Sequence, residues 1–168
     1  MERPTPNNDE IEVKAVDIIV SKSDEEGNIE YANPIFYKLS GYNKRELTFA
    51  PHSILRHPDM PKVVFKYLWD ELKKGNEVHA FVKNMTKNGS FYWVLAYVRP
   101  ALNPDGSFRN YVSTRKMMSL AARKAIEPLY AKLLEIEKND GIEASYKVLM
   151  ETLNEKDFNE FMLELNNA

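Results

Sequence analysis

Three stretches with period-two alternation follow one another over residues 77–115, and they constrain the fold more than any other feature of the chain. A Lys-Asn-Gly turn at residues 87–89 separates the first stretch from the second, and an Asn-Pro-Asp-Gly turn at residues 103–106 separates the second from the third. Short turns of this kind join neighbouring antiparallel strands. The region therefore predicts three strands in hairpin succession.

Two further strands are predicted upstream. The apolar run within Val13–Ser21 predicts one strand, and Ile29–Ala32 alternates as its hairpin partner after a turn-rich cluster. The pair Asn33-Pro34 then begins a block of short helices, the longest of which starts at Pro61 and stops at Gly75. This order favours an α+β fold, a five-stranded antiparallel sheet with short helices across one face.

The pattern becomes helical after residue 117. Apolar residues recur at helical spacing over residues 121–136 and again over 142–166, and Pro128 is expected to kink or interrupt the first helix. We therefore divide the chain into a lead-in at residues 1–12, a central domain at 13–117 and a C-terminal helical extension at 118–168.

Composition narrows the functional class. The chain has 168 residues, a formal net charge of -2 and no cysteine, so nucleic-acid binding, disulfides and cysteinyl adducts are not expected. No apolar stretch approaches the roughly 18 residues of a membrane span and the polar start does not resemble a secretory signal, which predicts a cytoplasmic protein without direct membrane insertion. Nucleophile-elbow, phosphate-loop, dinucleotide and zinc motifs are also missing, and we expect no enzymatic activity.

The hexapeptide Arg56–Pro61 is the strongest candidate for a binding site. It places a cation, an imidazole and a carboxylate close together, at Arg56, His57 and Asp59. Each proline favours extended geometry in the residue before it, so a stiff loop presents these groups. A helix start with exposed charges explains the same residues, and both interpretations stand at this point.

Four other residues could contact a flat ligand. Asn84 is in phase with the apolar residues of its strand, so its amide points into the core and needs either a backbone partner or a bound heterocycle. Phe65 and Trp69 share one helix face, as core residues or as one wall of a pocket. Asn33 is expected to cap the following helix, and this position directs its side chain toward the space beneath the block of short helices.

The longest predicted strand, Phe91–Arg99, is apolar on both faces. Trp93, Leu95 and Tyr97 alternate with small or β-branched residues, whereas an antiparallel sheet with one solvated face would alternate with polar ones. The outer face must therefore be covered by the lead-in, the C-terminal helices, a second copy or another protein.

The order of elements and several motifs resemble the PAS domain family, specifically the sensory domain of bacterial aerotaxis receptors, over roughly residues 15–130. The motifs are Tyr-Ala-Asn-Pro at 31–34, Ser-Gly-Tyr at 40–42, the hexapeptide, Leu-Trp at 68–69, Val-Lys-Asn at 82–84 and Tyr-Trp-Val at 92–94. The resemblance implies FAD bound without a covalent link, whose redox state reports on electron transport or oxygen supply. The implied cofactor contacts are Asn33, Arg56, His57, Asp59, Phe65, Trp69 and Asn84.

The resemblance also implies roles and partners. Arg56 and His57 would meet the anionic or polar parts of the cofactor, the two aromatic residues would pack on its rings, and Asn84 would bond the isoalloxazine edge. Many members of the family have a tryptophan and small residues just before the Val-Lys-Asn motif. This chain has Val-His-Ala there, at residues 78–80, and so departs from the family at part of the expected flavin wall. Because the sequence contains no anchor or signalling helix, we expect a stand-alone protein that acts on a membrane-anchored chemoreceptor with HAMP and signalling domains, and a homodimer through the outer sheet face or the C-terminal helices.

Two other functions fit the same fold. A haem or small-ligand sensor would use His57 or His79 near the pocket. A cofactor-free adaptor would serve protein association alone.

Overall fold

The computed structural model describes residues 2–168 and contains one five-stranded antiparallel sheet. Its strands are β1 (Ile19–Ser23), β2 (Ile29–Ala32), β3 (Val78–Met85), β4 (Phe91–Leu102) and β5 (Phe108–Met117). They lie in the order β2-β1-β5-β4-β3, and all neighbouring pairs are antiparallel. The predicted α+β fold is confirmed.

Helices lie on both sides of this sheet. They are α1 (Pro34–Ser40), α2 (Lys44–Leu47), α3 (Lys62–Lys73), α4 (Leu120–Asp140), α5 (Ile142–Leu153) and α6 (Phe158–Asn167), with a 3-10 turn at His52–Leu55. The first three and the 3-10 turn connect β2 to β3, and α4 to α6 follow β5. Within residues 2–168, no helix is both long enough and apolar enough to cross a bilayer.

Two local predictions were wrong, and one of the two outcomes expected at Pro128 is excluded. β1 starts at Ile19 rather than at Val13, because residues 14–17 form a turn in which the Asp17 amide donates to the Lys14 carbonyl at 2.9 Å. The predicted helix over 142–166 is divided into α5 and α6 where Asn154 and Glu155 take positive φ of 49° and 67°. The single helix α4 continues through Pro128, which does not interrupt it.

The outer face of the sheet is covered by the C-terminal helices of the same chain. Phe81, Trp93 and Leu95 are at most 7% exposed. They pack in one core cluster with Ile126 of α4 and Met162 of α6, both fully buried. The chain itself therefore supplies the cover that the apolar outer face requires.

Polar groups of these helices also satisfy the free edge of β3. The Tyr130 hydroxyl donates to the Phe81 carbonyl at 2.7 Å. The Asn159 side chain accepts from the His79 amide at 2.8 Å and donates to the Glu77 carbonyl at 3.0 Å. An unpaired strand edge would otherwise leave backbone groups unsatisfied or open to pairing with another chain.

The lead-in lies against the hairpin between β3 and β4. The Ile11 amide donates to the Phe91 carbonyl at 2.7 Å, and the Asn7 amide donates to the Gly89 carbonyl at 2.9 Å. A Cβ atom at Gly89 would collide with the Thr5 carbonyl oxygen, so this approach requires glycine.

The Tyr130 hydrogen bond should contribute measurably to stability. In Tyr130→Phe the buried Phe81 carbonyl loses its donor, and we expect the free energy of unfolding to fall by about 1 to 2 kcal/mol. Urea denaturation would measure the loss. Tyr31→Phe, at a side chain 48% exposed, is the control and should change stability by less than about 0.5 kcal/mol. Equal effects of the two substitutions would contradict the assigned contact.

Candidate functional site

A cavity of about 360 Å³ lies between the inner face of the sheet and α3. Its volume is near the lower end of the range for small-molecule and cofactor pockets, roughly 300 to 1,000 Å³. The wall comes from α3, the 3-10 turn, the loop between β1 and β2, and strands β3, β4 and β5. Because inward residues alternate along each strand, Val82 and Asn84 of β3 both line it.

One wall of the cavity is aromatic. Phe65 and Trp69 line it from α3, and the Trp69 ring packs edge-on against Tyr111 with centroids 5.4 Å apart. The loop before β2 lies against the same indole, since a Cβ atom at Gly27 would come within 3.0 Å of Trp69 Cζ2. Such a wall suits a flat conjugated ring system.

Arg56 adds a cation to this wall. Its guanidinium lies 3.7 Å from the centroid of the Phe65 ring, and its buried Nε has no hydrogen-bond partner within residues 2–168. Burial lowers the pKa of Arg56, and the charge of Arg3 lowers it further. A guanidinium donor in this position can bond a polar or anionic group of a ligand.

Sequence reasoning missed a second polar group, formed by Arg115, Ser21 and His52. Arg115 is 4% exposed and donates to Ser21 Oγ at 2.7 Å, and its Nη1 lies 3.2 Å from His52 Nε2. Ser21 Oγ lies 2.9 Å from the same nitrogen, so both neighbours can donate to a neutral imidazole. The alternation of Tyr111, Ser113 and Arg115 along β5 was the available signal, because it places all three on the inner face.

Three of the seven predicted contacts lie away from the cavity lining. His57 is buried, its Nδ1 accepts from the Asp59 amide at 3.0 Å, and the Asp59 carboxylate pairs with Lys83 at 2.8 Å. Asn33 accepts from the Phe36 amide at 3.2 Å and the Val20 amide at 3.1 Å, which ties α1 to β1.

The other four predicted residues come together around the cavity. They are Arg56, Phe65, Trp69 and Asn84. Asn84 pairs with Tyr92 across β3 and β4, and burial raises the pKa of the Tyr92 phenol to about 12 while the charge of Arg115 and the Asn84 side chain oppose that shift. Contact of any of the seven with a cofactor stays a prediction.

Metal binding has no comparable support. No cluster of three or more His, Cys, Asp or Glu residues that could hold a metal ion occurs in the described part of the chain, residues 2–168.

The buried imidazole makes stability dependent on pH. Burial, reinforced by the charge of Arg115, lowers the pKa of His52 from 6.5 to about 3. Between these values the unfolded chain binds the extra proton, so this contribution is complete above pH 6.5 and is lost as the pH falls toward 3. From pH 7 to pH 5 we expect a loss of roughly 1 to 2 kcal/mol.

Urea denaturation at both pH values would measure this loss. His52→Gln retains a polar side chain but cannot titrate, and its stability should vary less between the two pH values. An unchanged pH dependence in this variant would contradict the assignment.

Comparison with known proteins agrees with this architecture. The chain is 41% identical over 115 residues to the aerotaxis receptor of Escherichia coli, a match that covers 68% of the chain and 22% of the receptor. It is 26% identical over 109 residues to the nitrogen fixation regulatory protein of Klebsiella pneumoniae, covering 65% of the chain and 22% of that protein. The chain thus spans about a fifth of the length of these relatives.

A solved light-oxygen-voltage domain, studied with a flavin analogue, has the same fold. It superimposes with a TM-score of 0.58 at 22% identity, over 73% of the chain and 87% of that domain. The model of the PAS fold family matches residues 29–115, which include four of the five strands, α3 and most of the residues that line the cavity. The chain belongs to the PAS fold family.

Proposed function

We propose that this PAS protein binds FAD non-covalently in the cavity and passes the redox state of the flavin to a chemoreceptor. The observation that carries the proposal is the combination of an aromatic wall at Phe65 and Trp69 with the donors of Arg56, Asn84 and Arg115 around one cavity. The similarity to an aerotaxis receptor supports the same function. The proposed role is sensory and includes no catalytic turnover.

The lining residues fit the flavin chemically. The buried Nε of Arg56 needs an acceptor, and the carbonyl and nitrogen edge of an isoalloxazine ring, or an anionic part of FAD, offers one. Phe65 and Trp69 would pack on the rings, and Asn84 would bond the polar edge. His57 and Asp59 would act indirectly, because they hold the loop that positions Arg56.

The bound flavin would supply a change of charge and protonation between its oxidised and reduced states. A change of flavin state can shift the conformational equilibrium of the protein only if the protein interacts differently with the two states. Asn84 and Arg115 both line the cavity, so their hydrogen bonds are the ones expected to differ.

A route out of the cavity runs through β3. Asn84 faces inward, whereas Lys83 faces the opposite side and pairs with Asp59 at 2.8 Å. Two residues before Lys83 in the same strand, the Phe81 carbonyl accepts a hydrogen bond from the Tyr130 hydroxyl of α4. A small movement of β3 would therefore reach α4 through a direct hydrogen bond.

The outer face cannot meet a partner while it is covered. Trp93 and Leu95 lie beneath the C-terminal helices, so contact through this face requires these helices to move. We propose a membrane-anchored chemoreceptor with HAMP and signalling domains as the partner. A homodimer would form through the exposed sides of the C-terminal helices.

Absorption spectroscopy of the purified protein tests the cofactor. We expect the visible bands of an oxidised flavin, and chromatography of the supernatant after heat denaturation should identify free FAD. A Soret band would support the haem sensor instead. Colourless protein that releases nothing, and that does not bind added FAD, would support the adaptor.

Alanine at Gly27 should reduce flavin retention by displacing Trp69. Gly106→Ala is a matched control, because both glycines have φ of 86°. A Cβ atom at Gly27 would lie 3.0 Å from the Trp69 indole, whereas a Cβ atom at Gly106 would have no heavy atom of the described residues within 4 Å apart from its chain neighbours. Backbone strain is therefore comparable in both variants. The molar ratio of FAD to purified protein should fall several-fold in Gly27→Ala only. Equal ratios in the two variants would contradict a flavin site beside Trp69.

A further inference from the structure

Helix α3 begins without a capping side chain of its own. Its N-cap is Pro61, which makes no side-chain cap hydrogen bond, and its first turn contains no acidic residue. The first amides of a helix have no partner inside the helix, and they carry the positive end of its dipole. This N-terminus therefore needs an acceptor from elsewhere in the fold.

Glu137, near the end of α4, provides that acceptor. Its Oε2 accepts from the Lys62 amide at 2.9 Å, and its Oε1 accepts from the Val63 amide at 2.7 Å. The fully buried Ser145 hydroxyl of α5 lies 3.2 Å from Oε1 and 3.1 Å from the Ile142 carbonyl, so its single proton can be donated to the carboxylate and orient it. One carboxylate thus joins the starts of α3 and α5 to the end of α4.

The two faces of α3 have different neighbours. Phe65, Leu68 and Trp69 line the cavity. On the other side, the Tyr67 ring stacks on Phe158 of α6 at 4.2 Å, and the Lys66 ammonium lies 5.9 Å from the Tyr146 ring of α5. The helix therefore stands between the cavity and the C-terminal helices, and Glu137 binds its N-terminus.

We propose that Glu137 is a positioning residue that couples the cavity to the C-terminal helices. By capping α3, it makes the position of Phe65 and Trp69 depend on the docking of α4 and α5, and the reverse holds because a coupling free energy is reciprocal. The C-terminal helices lie beyond residues 29–115, so this contact is outside the part of the chain that the PAS fold model matches. The coupling to a cofactor rests on the proposed function, whereas the cap itself does not.

Hydrogen exchange at two amides tests the cap in the full-length protein. In Glu137→Gln the weaker, uncharged acceptor should let the Lys62 and Val63 amides exchange roughly 3- to 30-fold faster. The matched control is Glu135→Gln, an exposed residue on the same helix that makes the same change of charge. Ser145→Ala, which removes only the orienting hydroxyl, should give a smaller change at the same two amides. Exchange in Glu137→Gln equal to that in Glu135→Gln would overturn the proposal.

A second hydrogen-exchange experiment tests the coupling between the cavity and the C-terminal helices. Addition of FAD to wild-type protein should slow exchange in α5 by roughly fivefold or more, and this protection should disappear in Glu137→Gln but persist in Glu135→Gln. If FAD binds and protects α5 equally in all three proteins, the coupling is refuted while the proposed function stands. If FAD does not bind, the proposed function fails. The exchange rates of the Lys62 and Val63 amides still test whether Glu137 caps α3.

Discussion

The free edge of β3 is the constraint on which the rest of the molecule depends. A strand at the edge of a sheet has backbone groups that no neighbouring strand can satisfy. Here the hexapeptide loop and the C-terminal helices satisfy them together. The His57 amide donates to the Lys83 carbonyl at 3.3 Å, and Tyr130 and Asn159 bond the groups further along. The binding loop, the sheet and the C-terminal helices therefore meet at a single strand.

The cavity combines apolar walls with an excess of positive charge. Arg56 and Arg115 both line it, and within residues 2–168 the one carboxylate in its lining belongs to Glu26, an exposed residue of the loop before β2. Burial lowers the pKa of Arg115 to about 10, which still leaves the guanidinium charged at neutral pH. His52 beside it stays neutral, since a second buried cation would be costly. This arrangement favours a ligand that brings negative charge or strong acceptors.

Much of the fold could be predicted from local patterns, whereas the site could be predicted only in part. Period-two alternation and turn residues determined the strands, and α3 followed from its apolar stripe. Arg56, His57 and Asp59 are neighbours in sequence, yet extended backbone sends alternate side chains to opposite sides, so Arg56 enters the cavity and His57 does not. Arg115 and Ser21 are 94 residues apart, and only the register of β1 against β5 brings them together.

The docking of the lead-in implies an order of events during folding. Residues 7–11 bond to Gly89 and Phe91, groups that are in place only after the hairpin between β3 and β4 has formed. Attachment of the lead-in to this hairpin closes a loop of about 80 residues. This closure costs more chain entropy than formation of the hairpin itself. We therefore expect this segment to attach late and to open first when the native protein fluctuates, so that its release would uncover the start of β4 without unfolding the sheet.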